Sequence, residues 1–229
     1  MTPYDLLFGD APLDTLLLAT SFPPGSKLDA ARSRMWEGRW LDTADAASGA
    51  GEPWATFITA LARMNTGQSA QRALRSIAED PSRESRARLF AWTALRKAGD
   101  KPPPAHAQEV LACVVEVPVD GGFDVLAAYA DGSTRFLGHT GRVIAREGDG
   151  TPTPLVASVL AEAYPLLAVA PAARPPQVVP PEPTHVRLAA LSANGMHQVK
   201  VPWAAVEAGG PYFKLFHAAA LLLEQVTKV

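Results

Sequence analysis

With 229 residues the chain can hold one large domain or two small ones, and its 48% apolar content supplies a sizeable core in either case. Its 21 Lys and Arg nearly cancel its 23 Asp and Glu, so no overall field favours nucleic acid, an anionic membrane or an acidic substrate. One cysteine, Cys113, leaves no internal disulfide to form, and no stretch approaches the roughly 18 uninterrupted apolar residues of a membrane span.

The N-terminal stretch places Asp5, Asp10 and Asp14 among its leucines without a basic start, so it does not read as a secretory signal. Together with the lone thiol this sets the expectation of a cytoplasmic protein. The abundance of Ala, Arg and Pro fits a GC-rich bacterial genome.

Residues 1–103 read as a helical domain of short stacked hairpins. Pro12 opens a helix over 13–20, which Pro23-Pro24-Gly25 closes. Ser26 can cap the next, over 28–47, where Leu28, Ala31, Met35 and Trp36 recur at helical spacing until Gly38 interrupts. Pro53 starts a third, with Trp54, Phe57, Ile58, Leu61 and Met64 on one stripe, ended by Asn65-Thr66-Gly67.

The clearest pair spans 69–78 and 82–98, jointed at Asp80-Pro81 and stopped by Gly99. Such pairs resemble the units of helical repeat proteins, whose stacked faces serve as binding surfaces. Arg72, Arg75, Arg83, Arg86 and Arg88 cluster here, but Glu79, Asp80 and Glu84 are interleaved and exposed aromatics are missing, so the pattern is that of a solvated helix face rather than a nucleic-acid interface. Trp36, Trp40, Trp54 and Trp92 read first as core, with Trp40, among polar neighbours, the best placed to line a binding groove.

Lys101-Pro102-Pro103-Pro104 is a composition break, because a proline run is extended and stiff, and residues 104–229 form the second domain. There the period becomes that of strands. Cys113 sits in a β-branched run over 110–117 and reads as a small hydrophobe. Asp131-Gly132 predicts a two-residue hairpin turn, which pairs Tyr129 with Thr134, Ala127 with Phe136 and Leu126 with Leu137, and sets Asp124 opposite His139. Thr140-Gly141 continues the hairpin into a third turn, so 110–147 is a four-stranded meander.

Thr153-Pro154 then starts a helix that Pro165 bends or ends, and a proline-rich crossover fills 171–183. Asn194-Gly195 predicts a second tight turn, pairing Leu188 with Val201 and Ala190 with Val199, and leaving Arg187, Gln198 and Lys200 on a wet face. Pro202 and Pro211 open the last two helices. The fold class is α+β, an all-α helical half followed by an antiparallel sheet packed with helices.

Three constellations bear on function. Asp124 facing His139, with Arg142 nearby, could orient an imidazole, although a cross-strand charge pair needs no chemistry. Ser192 and His197 flank the second turn without a third member or a strained elbow. His106, His185 and His217 lack metal-ligand spacing, and no phosphate loop follows a strand, so no metal or cofactor is expected.

The last helix carries Phe213, Phe216, Ala220 and Leu223 along one side and Leu215, Ala219, Leu222 and Val226 along another, so it must bury more than one face. The leading expectation is therefore a non-catalytic interaction module, an adaptor or accessory subunit of a bacterial multi-protein system. It would meet another protein or a second copy through Phe213, Phe216, Leu222 and Trp40. The rivals are an enzyme or small-ligand sensor using Asp124, His139 and Arg142, and a nucleic-acid binder using the arginine helices.

Overall fold

A computed structural model describes residues 2–171 and 179–228. In chain order these hold α1 (Leu13–Ala19), α2 (Lys27–Trp36), α3 (Trp40–Ala47), α4 (Trp54–Asn65), α5 (Gln71–Ala78), α6 (Ser85–Lys97) and α7 (Pro104–Ala107). Then follow β1 (Ala112–Val119), β2 (Gly122–Tyr129), β3 (Thr134–Leu137), β4 (Val143–Arg146), α8 (Pro154–Ala163), β5 (His185–Ser192), β6 (Gly195–Pro202), α9 (Trp203–Glu207) and α10 (Phe213–Thr227). The fold is α+β, with most of its helices in the first half and one six-stranded antiparallel sheet in the second. Most of the proline-rich crossover lies outside the described residues.

The chain divides into two compact units, Met1–Arg83 with Ala87–Pro102, and Glu84–Arg86 with Pro103–Val229. In the first, Ser26 caps α2 by accepting from the Asp29 amide at 3.2 Å, and a carboxylate in that first turn complements the helix dipole. Leu17, Phe57, Ile58, Leu74, Trp92 and Leu95 form its core, each 1% exposed or less. The closest helix pairs are α2 with α3 and α3 with α4. Helix α5 is tied to its neighbour by polar contacts: Arg75 grips Asp100 with two nitrogens, at 2.5 and 2.9 Å, and Arg88 Nε donates to the Ala78 carbonyl.

Arg88 therefore leaves the expected solvated face, being 3% exposed. Trp36 makes the opposite correction: expected in the core, it is 67% exposed at the end of α2.

In the second unit the strands run in the order β4-β3-β2-β1-β5-β6. The meander forms as expected, but its register is one residue away from the prediction. Val125 pairs with Leu137, Leu126 with Phe136, and Ala128 with Thr134. A type I′ turn needs positive φ at both central positions. Only Gly132, at φ +85°, supplies it. The loop instead encloses three residues, Ala130 to Gly132, with the Gly132 amide donating to the Tyr129 carbonyl and the Tyr129 amide to the Ser133 carbonyl. Nothing larger than glycine fits there, since an added Cβ would lie 2.5 Å from the Thr151 carbonyl oxygen. The Asp131 carboxylate fixes the loop by accepting from the amides of Ser133 and Ser85.

The second hairpin also reverses earlier than expected. Ser192 pairs with Gly195, so Leu188 meets Val199 and Val186 meets Val201. The Ser192 hydroxyl accepts from the Asn194 amide and so holds the turn one residue upstream. This displacement moves the pairing by two positions, and the faces stay as predicted.

One face of the sheet, with Cys113, Val115, Leu126, Phe136 and Leu188, packs on Val156 and Val159 of α8 and on Leu215 and Leu222 of α10. At about 25 cal/mol per Å² of buried apolar surface, this layer is the main favourable term of the unit. The other face is not wet as expected: Val114, Ala127, Tyr129 and Leu191 are 1% exposed or less, and Glu116 of β1 is ion-paired with Arg187 of β5 among them. The polar alternation was carried by β6, whose Lys200 is exposed, and that strand is the sheet margin.

Two outcomes follow. Replacing Arg187 with Met strands a buried carboxylate and lowers the unfolding free energy by about 3–5 kcal/mol, measured by urea denaturation. Burial pushes the Cys113 thiol up to about 12, so a thiol reagent at mildly alkaline pH leaves native protein unlabelled and reacts once denaturant is added.

Candidate functional site

Asp124 projects from β2, and His139 stands just past the end of β3 in the turn leading to β4. The shifted ladder does not make them direct cross-strand partners, yet the side chain closes the gap. Asp124 Oδ1 accepts from the His139 amide and from its Nδ1, both at 2.8 Å. Glycine at 122 permits the approach, because a Cβ there would lie 3.0 Å from the Cβ of His139. The carboxylate thus fixes the imidazole with Nδ1–H inward and leaves Nε2 without a hydrogen-bond partner among the described residues. Neither group is fully buried, at 24% exposure for the Asp124 side chain and 35% for that of His139.

Beside this pair lies a pocket of about 120 Å³ between the sheet and α10. Its walls are Val115 and Val117 of β1, Leu126 of β2, Phe136 of β3, and Phe216 and Leu223 of α10. Ala219 and Ala220 line it too, and their short side chains are what leave the space open. Asp124 supplies the polar group of the lining. Phe216 and Asp124, which the sequence assigns to two separate hypotheses, therefore share one site.

Arg142 does not join them. Its Nη2 points to the Thr227 carbonyl, at 3.5 Å, and Arg146 Nη2 donates to the Val226 carbonyl at 3.0 Å. Two guanidinium groups, one just before β4 and one at its last residue, thereby face the negative end of α10.

The remaining candidates separate. Leu222 is 2% exposed and belongs to the core, so it presents nothing to a partner, because the stripe that it shares with Leu215 and Val226 is the one α10 turns to the sheet. Phe213 is 40% exposed and stacks on His217 at 5.8 Å between ring centroids. Phe216 is half-buried, edge-on to Trp203. Trp40 is half-buried at the start of α3.

Ser192 and His197 do meet, with Oγ 3.0 Å from Nε2. The Val169 carbonyl, 2.7 Å from Nδ1, can only accept, so Nδ1 carries the proton and Nε2 accepts from the serine. The geometry is that of an oriented dyad, but Ser192 is 0% and His197 2% exposed, and the same hydroxyl holds the Asn194 amide. The arrangement locks a turn.

Sequence reading missed the elbow between α2 and α3. Trp36 and Leu41 are 67% and 70% exposed there, while Arg39 is held between Glu37 and Asp42. Helical periodicity assigns Trp36 to the core stripe, and only the break at Gly38 shows that the stripe ends before it is covered.

No family model matches the chain, and neither a curated protein nor a solved structure shows significant similarity to it. Among the described residues no three His, Cys, Asp or Glu side chains are grouped to hold a metal ion, and no helix is long and apolar enough to cross a membrane.

Ser192→Ala leaves His197 Nε2 buried without its donor and lowers the unfolding free energy by about 1–3 kcal/mol. Asp124→Ala, at a partly solvated site, costs about 1 kcal/mol. Denaturant midpoints of the two variants check the order.

Proposed function

We propose that this protein is a non-catalytic interaction module, an adaptor or accessory subunit, which docks another protein through the α2–α3 elbow. The carrying observation is the pair of large apolar side chains, Trp36 and Leu41, about two-thirds exposed on one short reversal. Tryptophan is the residue most enriched among those that dominate binding energy, and burying one on association removes far more apolar surface than any scattered exposed alanine. Arg34, Arg39, Asp42 and Asp45 line a shallow polar depression on the same elbow, which supplies the charged rim that surrounds an apolar interface centre.

The polar groups support the same reading. Ser192 and His197 are spent on a buried turn, and Arg142 on a helix end. A partner with an apolar cleft and charges of both signs at its margin fits the elbow. Phe213 and Leu221 of α10, 40% and 41% exposed, form a weaker second apolar surface.

The test is a pull-down from the native host with wild-type protein and with the Trp36→Glu/Leu41→Glu variant. Both positions are exposed, so the change costs within about 0.5 kcal/mol of stability each and leaves the circular-dichroism melt in place. A specific partner retained by the wild type is released by the variant. Equal retention by both overturns the elbow as the docking site, and a concentration-dependent mass of the purified protein that the variant abolishes reassigns the elbow to self-association.

A further inference from the structure

We propose that the pocket between α10 and the sheet is a binding site for a small apolar amine, whose ammonium is received by Asp124. Three observations carry this, and none depends on the elbow. The first is size and lining: about 120 Å³ of space is walled by aliphatic and phenyl side chains. An enclosed apolar cavity of about 150 Å³ accommodates benzene; the space here is somewhat smaller but open on one side, so it takes a single ring or a branched alkyl chain whose polar end stays at the opening.

The second is the carboxylate. Asp124 Oδ1 takes both His139 donors, while Oδ2 has no hydrogen-bond partner among the described residues. A carboxylate oxygen beside an apolar wall, with no partner of its own, gains a charge-assisted hydrogen bond from a ligand ammonium seated against that wall.

The third is charge. No Lys or Arg lines the pocket, and Arg142, the cation nearest in sequence to His139, is turned to the Thr227 carbonyl. The site therefore presents a negative group without a fixed lysine or arginine partner, and the phenyl rings of Phe136 and Phe216 in its walls also favour a cation. An anion meets repulsion in the same place, and a neutral hydrocarbon gains only the walls.

The probe is benzylamine, compared with benzyl alcohol and benzoate on the full chain, with amide shifts of Leu126 and His139 followed by NMR. Saturable shifts with benzylamine, weaker ones with benzyl alcohol and none with benzoate are expected. Asp124→Asn keeps the shape and weakens benzylamine by about tenfold or more. Ala220→Leu, which changes an exposed helical position, fills the mouth and abolishes binding of every probe without lowering the melting temperature. Absence of saturable shifts overturns the proposal. So does binding of benzyl alcohol equal to that of benzylamine, or an unchanged affinity in Asp124→Asn, either of which shows a packing void and no amine site.

Discussion

The second half of this protein is organised by one reversal of three residues. Gly132 alone enters the left-handed region, the loop takes in Ala130, Asp131 and Gly132, and every pair beyond it is displaced by one relative to a two-residue turn. That displacement puts Leu126 and Phe136 together on the face that α8 and α10 cover. It also ends the β2–β3 ladder at Val125 and Leu137, so His139 lies past the strand, where the Asp124 side chain can take both its amide and its ring nitrogen. The pocket, its one carboxylate and the sheet core are consequences of the same backbone choice.

Polar side chains elsewhere are used to close structure. Glu116 and Arg187 neutralise each other between the neighbouring strands β1 and β5, Arg142 and Arg146 take the last carbonyls of α10, and Ser192 with His197 holds the second hairpin. Each has at least one partner supplied by the chain itself. Asp124 is the contrast: its Oδ1 takes both His139 donors, its Oδ2 has no hydrogen-bond partner among the described residues, and the residue lines an apolar pocket. Residue type alone does not reveal such incomplete pairing.

In the helical half the informative feature is likewise what packing leaves over. Trp92 and Trp36 stand on helices of similar apolar character, and one is fully buried while the other is 67% exposed. Trp36 is the last residue of α2, and the chain reverses two residues later, so no further turn of helix folds over it. A large aromatic stranded at a reversal leaves apolar surface that folding did not bury, which is the property the proposed docking role draws on.

The sequence by itself determined the class and order of elements, since prolines, glycines and capping residues are local signals. Pro12, Ser26, Pro53, Thr153 and Pro202 each stand immediately before the helix they announce, and the switch from helical to alternating spacing after residue 104 marks the sheet. It also placed Asp124 near His139, and Leu188 and Val199 on one face. What only the tertiary structure decided was whatever depends on which residue a backbone reversal starts from and on what lies across from a side chain: the one-residue register, the burial of Arg88 and Leu222, the exposure of Trp36, and the meeting of Phe216 with Asp124 around one pocket. Periodicity says that a residue belongs to a stripe, and the neighbour that covers the stripe, or leaves it bare, comes from segments tens of residues away.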